Sequence, residues 1–195
     1  MRLRMIAVAF GLMLSAMAAP AAADKTHVAV AANFNERARE IAALFQKKTG
    51  HEAILITGAS GAFYTQITHG APFEVFLSAD NERPRLAVEN GYAVADSRFT
   101  YAIGKLVLWS RAVDVTNGEE VLKAGDFRKL SIANPASAIE GGTRWTAPDK
   151  LHSPILQDAV LLKKGADNKA AKAFLAFLKG PEARAVIERY GYALE

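Results

Sequence analysis

The chain has no cysteine among its 195 residues, which excludes a disulfide framework and any thiolate metal site. Histidine is scarce as well. His27, His51, His69 and His152 are the only four, and they lack the close spacing and neighbouring carboxylates of a zinc site. No transition-metal centre is expected. No five-residue basic block occurs, so the usual footprint of a nucleic-acid partner is missing. Beyond the N-terminus, no apolar run approaches the ~20 residues that a membrane-spanning helix needs. There is no internal repeat and no low-complexity linker.

The N-terminus reads as a secretory leader. Arg2 and Arg4 form a positive start, and residues 5–18 are apolar apart from Gly11 and Ser15. Ala21-Ala22-Ala23 supplies a small-residue cleavage site. As an anchor the run is too short, and it ends at Pro20. Residues 1–23 are therefore expected to be a signal peptide, and the remainder a periplasmic protein stable without disulfides. Cleavage removes two arginines and no acid, so the net charge falls from +4 to +2. The 172 residues left out of 195 suffice for a real core, in one domain or two small lobes.

Short apolar runs alternate with stretches of helical periodicity, which predicts an α/β architecture. Strands are expected over 27–31, 52–57, 73–78, 101–110, 130–133 and 159–162. The 101–110 strand is long enough to pass from one lobe into another. Helices are expected over about 34–49, 61–69, 80–90, 169–179 and 182–190, with a short one near 121–123. Gly50 and Gly91 close two of them and Pro181 opens the last. Residues 136–152 lose the pattern, and Gly141-Gly142 and Pro148 predict loop there.

Two turns carry the functional signal. Asn33 follows the first strand and Ser60 the second, each where a helix is due to begin. Each presents a side-chain donor beside unpaired backbone N–H groups. Together they make a site for a small anion without any cationic side chain. Taken singly, Asn33 reads as an ordinary N-cap and the Gly58-Ala59-Ser60-Gly61-Ala62 turn as a conformational need. Their occurrence at successive strand ends, where open α/β sheets bind ligands, favours the site. The Ser60 segment also approaches a nucleophile elbow, but Ala62 stands where the second glycine belongs. His69 and His152 have no special claim to assist it, and the chain is read as non-enzymatic. Trp109, Trp145, Tyr64 and Tyr101 suit either a pocket lining or packing between lobes. Arg144 and the Lys163-Lys164 pair read as solvated.

Several segments together resemble the periplasmic molybdate-binding proteins of ABC transporters: VAANFNERAREIAALFQKKTGH (30–51), GASGAFYTQITHGAPFEVFLSAD (58–80), SRFTYAIGKLVLWS (97–110), IANP (132–135) and the run 153–195. The resemblance implies a type II periplasmic binding-protein fold, a hinged two-lobed α/β clamp. Lobe one would comprise 24–100 and 153–195, and 101–152 would be what remains of lobe two. It places Asn33 and Ser60 on the lobe-one ligand positions, with Ala32 and Ala59 contributing backbone. It further implies molybdate or tungstate as ligand, no cofactor, a membrane permease as partner, and a monomer. In the family an Ala-Pro-Tyr-Gly turn follows the IANP strand, and a helix–strand–helix block with a further ligand comes next. Here Ala136-Ser137-Ala138 follows Pro135, and only seventeen residues (136–152) lead to the return at Ser153. Much of lobe two is thus expected to be missing and the anion affinity impaired. The alternatives are a binding protein for another small anion and a periplasmic interaction protein without a transport role.

Overall fold

A computed structural model describes residues 23–127 and 141–195. Residues 1–22 of the leader, the strand expected over 130–133 and the turn at Asn134-Pro135 lie outside the described residues. The chain builds a five-stranded sheet in the order β2-β1-β3-β7-β4. Its strands are β1 (Lys25–Ala31), β2 (Glu52–Gly58), β3 (Val75–Leu77), β4 (Phe99–Gly104) and β7 (Ile155–Leu161). The first three run parallel, with Ala31 opposite Gly58 and Val30 opposite Leu77. Strand β7 runs antiparallel to both β3 and β4. The sheet is therefore mixed rather than wholly parallel.

Alternation along β1 explains why both faces are covered. Val28 and Val30 point into one cluster with Phe34, Ile41, Phe45 and Phe174. These come from α1 (Asn35–Thr49), the turn before it and α5 (Lys169–Leu178), with α6 (Pro181–Arg189) alongside. Ala29 points to the other face, where Phe63, Ile67, Phe76 and Val160 gather under α2 (Ser60–Thr68) and α3 (Glu82–Glu89). Helix ends follow the local chemistry. Gly50 takes a φ of 77° to stop α1. The Asn168 side chain accepts from the Ala170 and Ala171 amides to start α5.

The stretch expected as one strand over 101–110 is two. After β4, Lys105 and Leu106 leave the large sheet, and β5 (Val107–Ser110) pairs with β6 (Thr143–Thr146) in a separate two-stranded sheet. Part of the loop expected over 136–152 is thus ordered. Thr-Arg-Trp-Thr follows Gly141-Gly142 with β-favouring residues that find a partner in β5. Helix α4 (Gly118–Ala124) packs on this strand pair, with the Trp145 ring lying directly over Gly118.

Candidate functional site

The C-terminal ends of β1, β2 and β3 open onto one edge of the sheet. Ala31 and Gly58 are register partners, so Ala32 and Ala59, both exposed, begin the turns that leave two adjacent strands. Hydrogen-bonded strands lie about 4.8 Å apart. Asn33 and Ser60 each stand two residues past those partners. The structure therefore brings all four residues to one place.

Ser60 opens α2, where the first-turn N–H groups have no partner within the helix. Ser60 is 8% exposed, and its hydroxyl oxygen accepts the Ala79 amide at 2.9 Å. Ala79 follows β3, so this bond joins the turns after β2 and β3 across the end of the intervening β1. The hydroxyl hydrogen stays available to donate, because Ser60 meets no acceptor among the described residues.

Asn33 departs from the expectation of a helix cap. It lies inside a 3-10 turn (Ala32–Phe34), and Phe34 precedes α1 without any side-chain cap. Asn33 Nδ2 instead donates to Gln157 Oε1 at 3.0 Å, while its Oδ1 is buried without a partner. Tyr192 Oη donates to the Asn33 carbonyl at 3.3 Å.

Gln157, 2% exposed, is the residue that sequence reasoning missed. It sits two positions before Ala159, the register partner of Leu77, so antiparallel β7 delivers it to the same edge. Tyr101, previously assignable only to packing or a pocket wall, belongs to this network. The pairing of β4 with β7 slips between Thr100 and Ala102, leaving Tyr101 as the extra residue of a bulge, a device that re-aims a side chain. Its hydroxyl donates toward the Ser78 carbonyl at 3.0 Å and Gln157 Oε1 at 3.2 Å. Burial pushes the Tyr101 hydroxyl well above the usual tyrosine range, helped by Tyr192, Asp158 and Asp80. It therefore remains a donor at neutral pH. The sequence signal was present: Gln157-Asp158 interrupts an apolar strand run, and buried polar residues need partners.

A cation also stands nearer than expected. A Cβ on Gly61 would lie 3.4 Å from Arg83 Nε. Arg83 is paired with Asp80, its Nη1 being 2.6 Å from Asp80 Oδ2, so the two charges largely offset one another beside Ser60. The histidines weighed as helpers for Ser60 make other contacts: His69 Nδ1 meets the Thr65 carbonyl and His152 Nδ1 the Ser153 carbonyl. Trp109 Nε1 donates to the Gly141 carbonyl and Tyr64 Oη accepts from Asn90. Among the described residues no three His, Asp or Glu side chains gather as a metal site, and no helix is long and apolar enough to cross a membrane.

Comparison with known proteins matches the family model described as bacterial extracellular solute-binding protein over residues 26–144 and 138–193. The molybdate-binding protein ModA of Rhodobacter capsulatus is 44% identical, over 99% of this chain and 97% of the relative. This chain belongs to the ModA family of bacterial extracellular solute-binding proteins. The ModA of Azotobacter vinelandii is 40% identical over 97% of each chain. The solved structure of the periplasmic molybdate-binding protein of A. vinelandii superposes with a TM-score of 0.72 at 30% identity, covering 87% of this chain and 99% of that one. These likenesses place the chain in the type II periplasmic binding-protein fold. The R. capsulatus alignment spans 246 positions against a chain of 195 residues, which leaves at least 51 positions without a counterpart here. The family model is likewise met in two segments, which overlap over residues 138–144.

Proposed function

We propose that this chain is the solute-binding subunit of a molybdate or tungstate ABC transporter. It works as a periplasmic monomer without a cofactor or catalytic step, after cleavage of residues 1–23, and hands its ligand to a membrane permease. The observation that carries this reading is the Ser60–Ala79 bond across the end of β1. It makes one rigid edge from three strand ends and leaves donors there. The Ser60 hydroxyl, the Asn33 carboxamide and backbone N–H groups at Ala32, Ala59 and the first turn of α2 would hold a tetrahedral oxyanion by neutral hydrogen bonds. The α2 N-terminus contributes about half a positive charge, which offsets part of a dianion. Where the anion meets only donors, with the Asp80 carboxylate held by Arg83, hydrogen phosphate is disfavoured because its O–H would face another donor.

Residues 24–100 and 153–195 form lobe one in this reading, and 101–152 a shortened lobe two. In this reading the unmatched positions belong between the IANP segment and the Ser153 return, where the resemblance puts the family's remaining ligands. Each hydrogen bond to a charged group is worth about 1.5–3 kcal/mol. Losing two or three therefore weakens binding by several powers of ten relative to a complete clamp. Calorimetric titration of the leader-free protein with molybdate tests this. Binding in the micromolar range or weaker, with sulfate weaker still, is the expected result. No binding at millimolar molybdate would overturn the assignment, and nanomolar binding would overturn the incomplete shell.

A further inference from the structure

Tyr101 has one hydroxyl hydrogen and two acceptors in reach, the Ser78 carbonyl at 3.0 Å and Gln157 Oε1 at 3.2 Å. One hydrogen cannot serve both well. The carbonyl can only accept, so it takes the proton, and Gln157 Oε1 is left facing the lone pairs of Tyr101 Oη. Close by, Asn33 Oδ1 is buried without a donor. Both faults lie on the two carboxamides that meet at 3.0 Å.

A half-turn of a carboxamide exchanges its oxygen and nitrogen while leaving the heavy-atom positions filled, so the bonding partners decide the orientation. With both amides turned, Gln157 Nε2 donates to Tyr101 Oη and to Asn33 Oδ1 over those same distances. Tyr192 lies on the other side of the Gln157 amide; in the turned arrangement its one hydroxyl hydrogen leaves the Asn33 carbonyl, a long bond at 3.3 Å, and goes to Gln157 Oε1. The unpaired atom of Asn33 then becomes its NH2. An oxyanion satisfies an unpaired donor and is repelled by an unpaired acceptor.

We propose that Gln157 is a positioning residue that turns the Asn33 carboxamide, so that its NH2 and not its oxygen is offered to the anion. Tyr101 sets Gln157 in turn. This rests on the oxyanion-binding reading, since only an anion makes the orientation matter to function.

Two measurements test it separately from that reading. In the unliganded protein, proton NMR cross-peaks from the Gln157 side-chain NH2 are expected to the Tyr101 ring. Cross-peaks to the Tyr192 ring alone would overturn the orientation, whether or not any anion binds. In the second, Gln157→Glu installs a carboxylate that only accepts at pH 7 and draws the Asn33 NH2 back to itself. Molybdate affinity is expected to fall roughly ten- to a hundredfold. It should recover toward wild type as the pH approaches 5 and the buried carboxyl, whose pKa burial raises, regains a proton to donate. Gln157→Met weakens binding without that recovery. Unchanged affinity in Gln157→Glu, or a loss indifferent to pH, overturns the positioning role. Failure of the wild type itself to bind molybdate would strike the proposed function, and the cross-peaks would still decide the orientation.

Discussion

The hydroxyl oxygen of Ser60 receives the backbone amide of Ala79 at 2.9 Å, tying the turn after β2 to the turn after β3 over the end of β1. Ser60→Ala leaves that amide without its acceptor in a site where Ser60 is 8% exposed. The cost is about 1–3 kcal/mol of stability, visible as a lower urea midpoint at unchanged m. Oxyanion affinity should fall as well, roughly tenfold or more, because in the proposed site the same hydroxyl would donate to the ligand. Ser60→Thr keeps the oxygen and should restore most of the stability. Equal midpoints for Ser60→Ala and wild type would contradict the role given to this bond.

The small sheet has its own point of weakness. A Cβ on Gly118 would stand 2.4 Å from Trp145 Cδ2 and Cε3, far inside contact distance. Gly118→Ala must therefore displace the indole or tilt α4, at a cost of about 1–3 kcal/mol for overpacking. Trp145 fluorescence should shift toward the red as the ring leaves its cover. An unchanged emission spectrum and denaturation midpoint would show that the ring gives way freely.

The sequence and the folded chain agree where a local cause dominates. Gly50 needed its left-handed φ and Pro181 opens a helix. Phe34, Ile41 and Phe45 recur at helical spacing in the sequence and are buried together on one face. Asn33 and Ser60 were legible because strand-to-helix turns have a fixed place in such sheets. Gln157, Tyr101 and Tyr192 were not, because their meeting depends on the antiparallel insertion of β7 between β3 and β4 and on the bulge at Tyr101. Both are non-local. The β5-β6 pairing was missed for a related reason: each strand has four residues, and only the partner makes either one a strand.

Asp158 neighbours Gln157 on β7, and its side chain is almost wholly buried. It accepts from Arg98 Nη1 at 2.5 Å and Thr100 Oγ1 at 2.8 Å. Arg98→Met removes the charge partner and leaves the carboxylate with Thr100 alone. Because the arginine itself is 40% exposed, the loss is expected at about 1–3 kcal/mol, below that of a fully buried pair. Adding Asp158→Asn to Arg98→Met should recover part of it, since the amide carries no charge to strand. A double variant less stable than the single would refute the account.

Alkaline titration reads Tyr101 directly. Its hydroxyl is held above the usual value, first by burial and then by the charges of Tyr192, Asp158 and Asp80, whereas in the unfolded chain it ionises near the usual pH of about 10. Above that pH the folded protein keeps a proton that the unfolded chain has released. The unfolded state then binds fewer protons, so stability falls as pH rises. The contribution is intact below about pH 10 and declines from there toward the folded-state value. The slope reaches about 1.4 kcal/mol per pH unit for one such group. Tyr192 is shifted the same way by burial, so a residual slope persists when Tyr101 is removed. Tyr101→Phe should be less stable than wild type at pH 8, for want of the bond to Ser78. Its urea midpoint should approach that of wild type between pH 10 and 11. Midpoints that fall in parallel across that range would mean that Tyr101 ionises no harder in the fold than in the open chain.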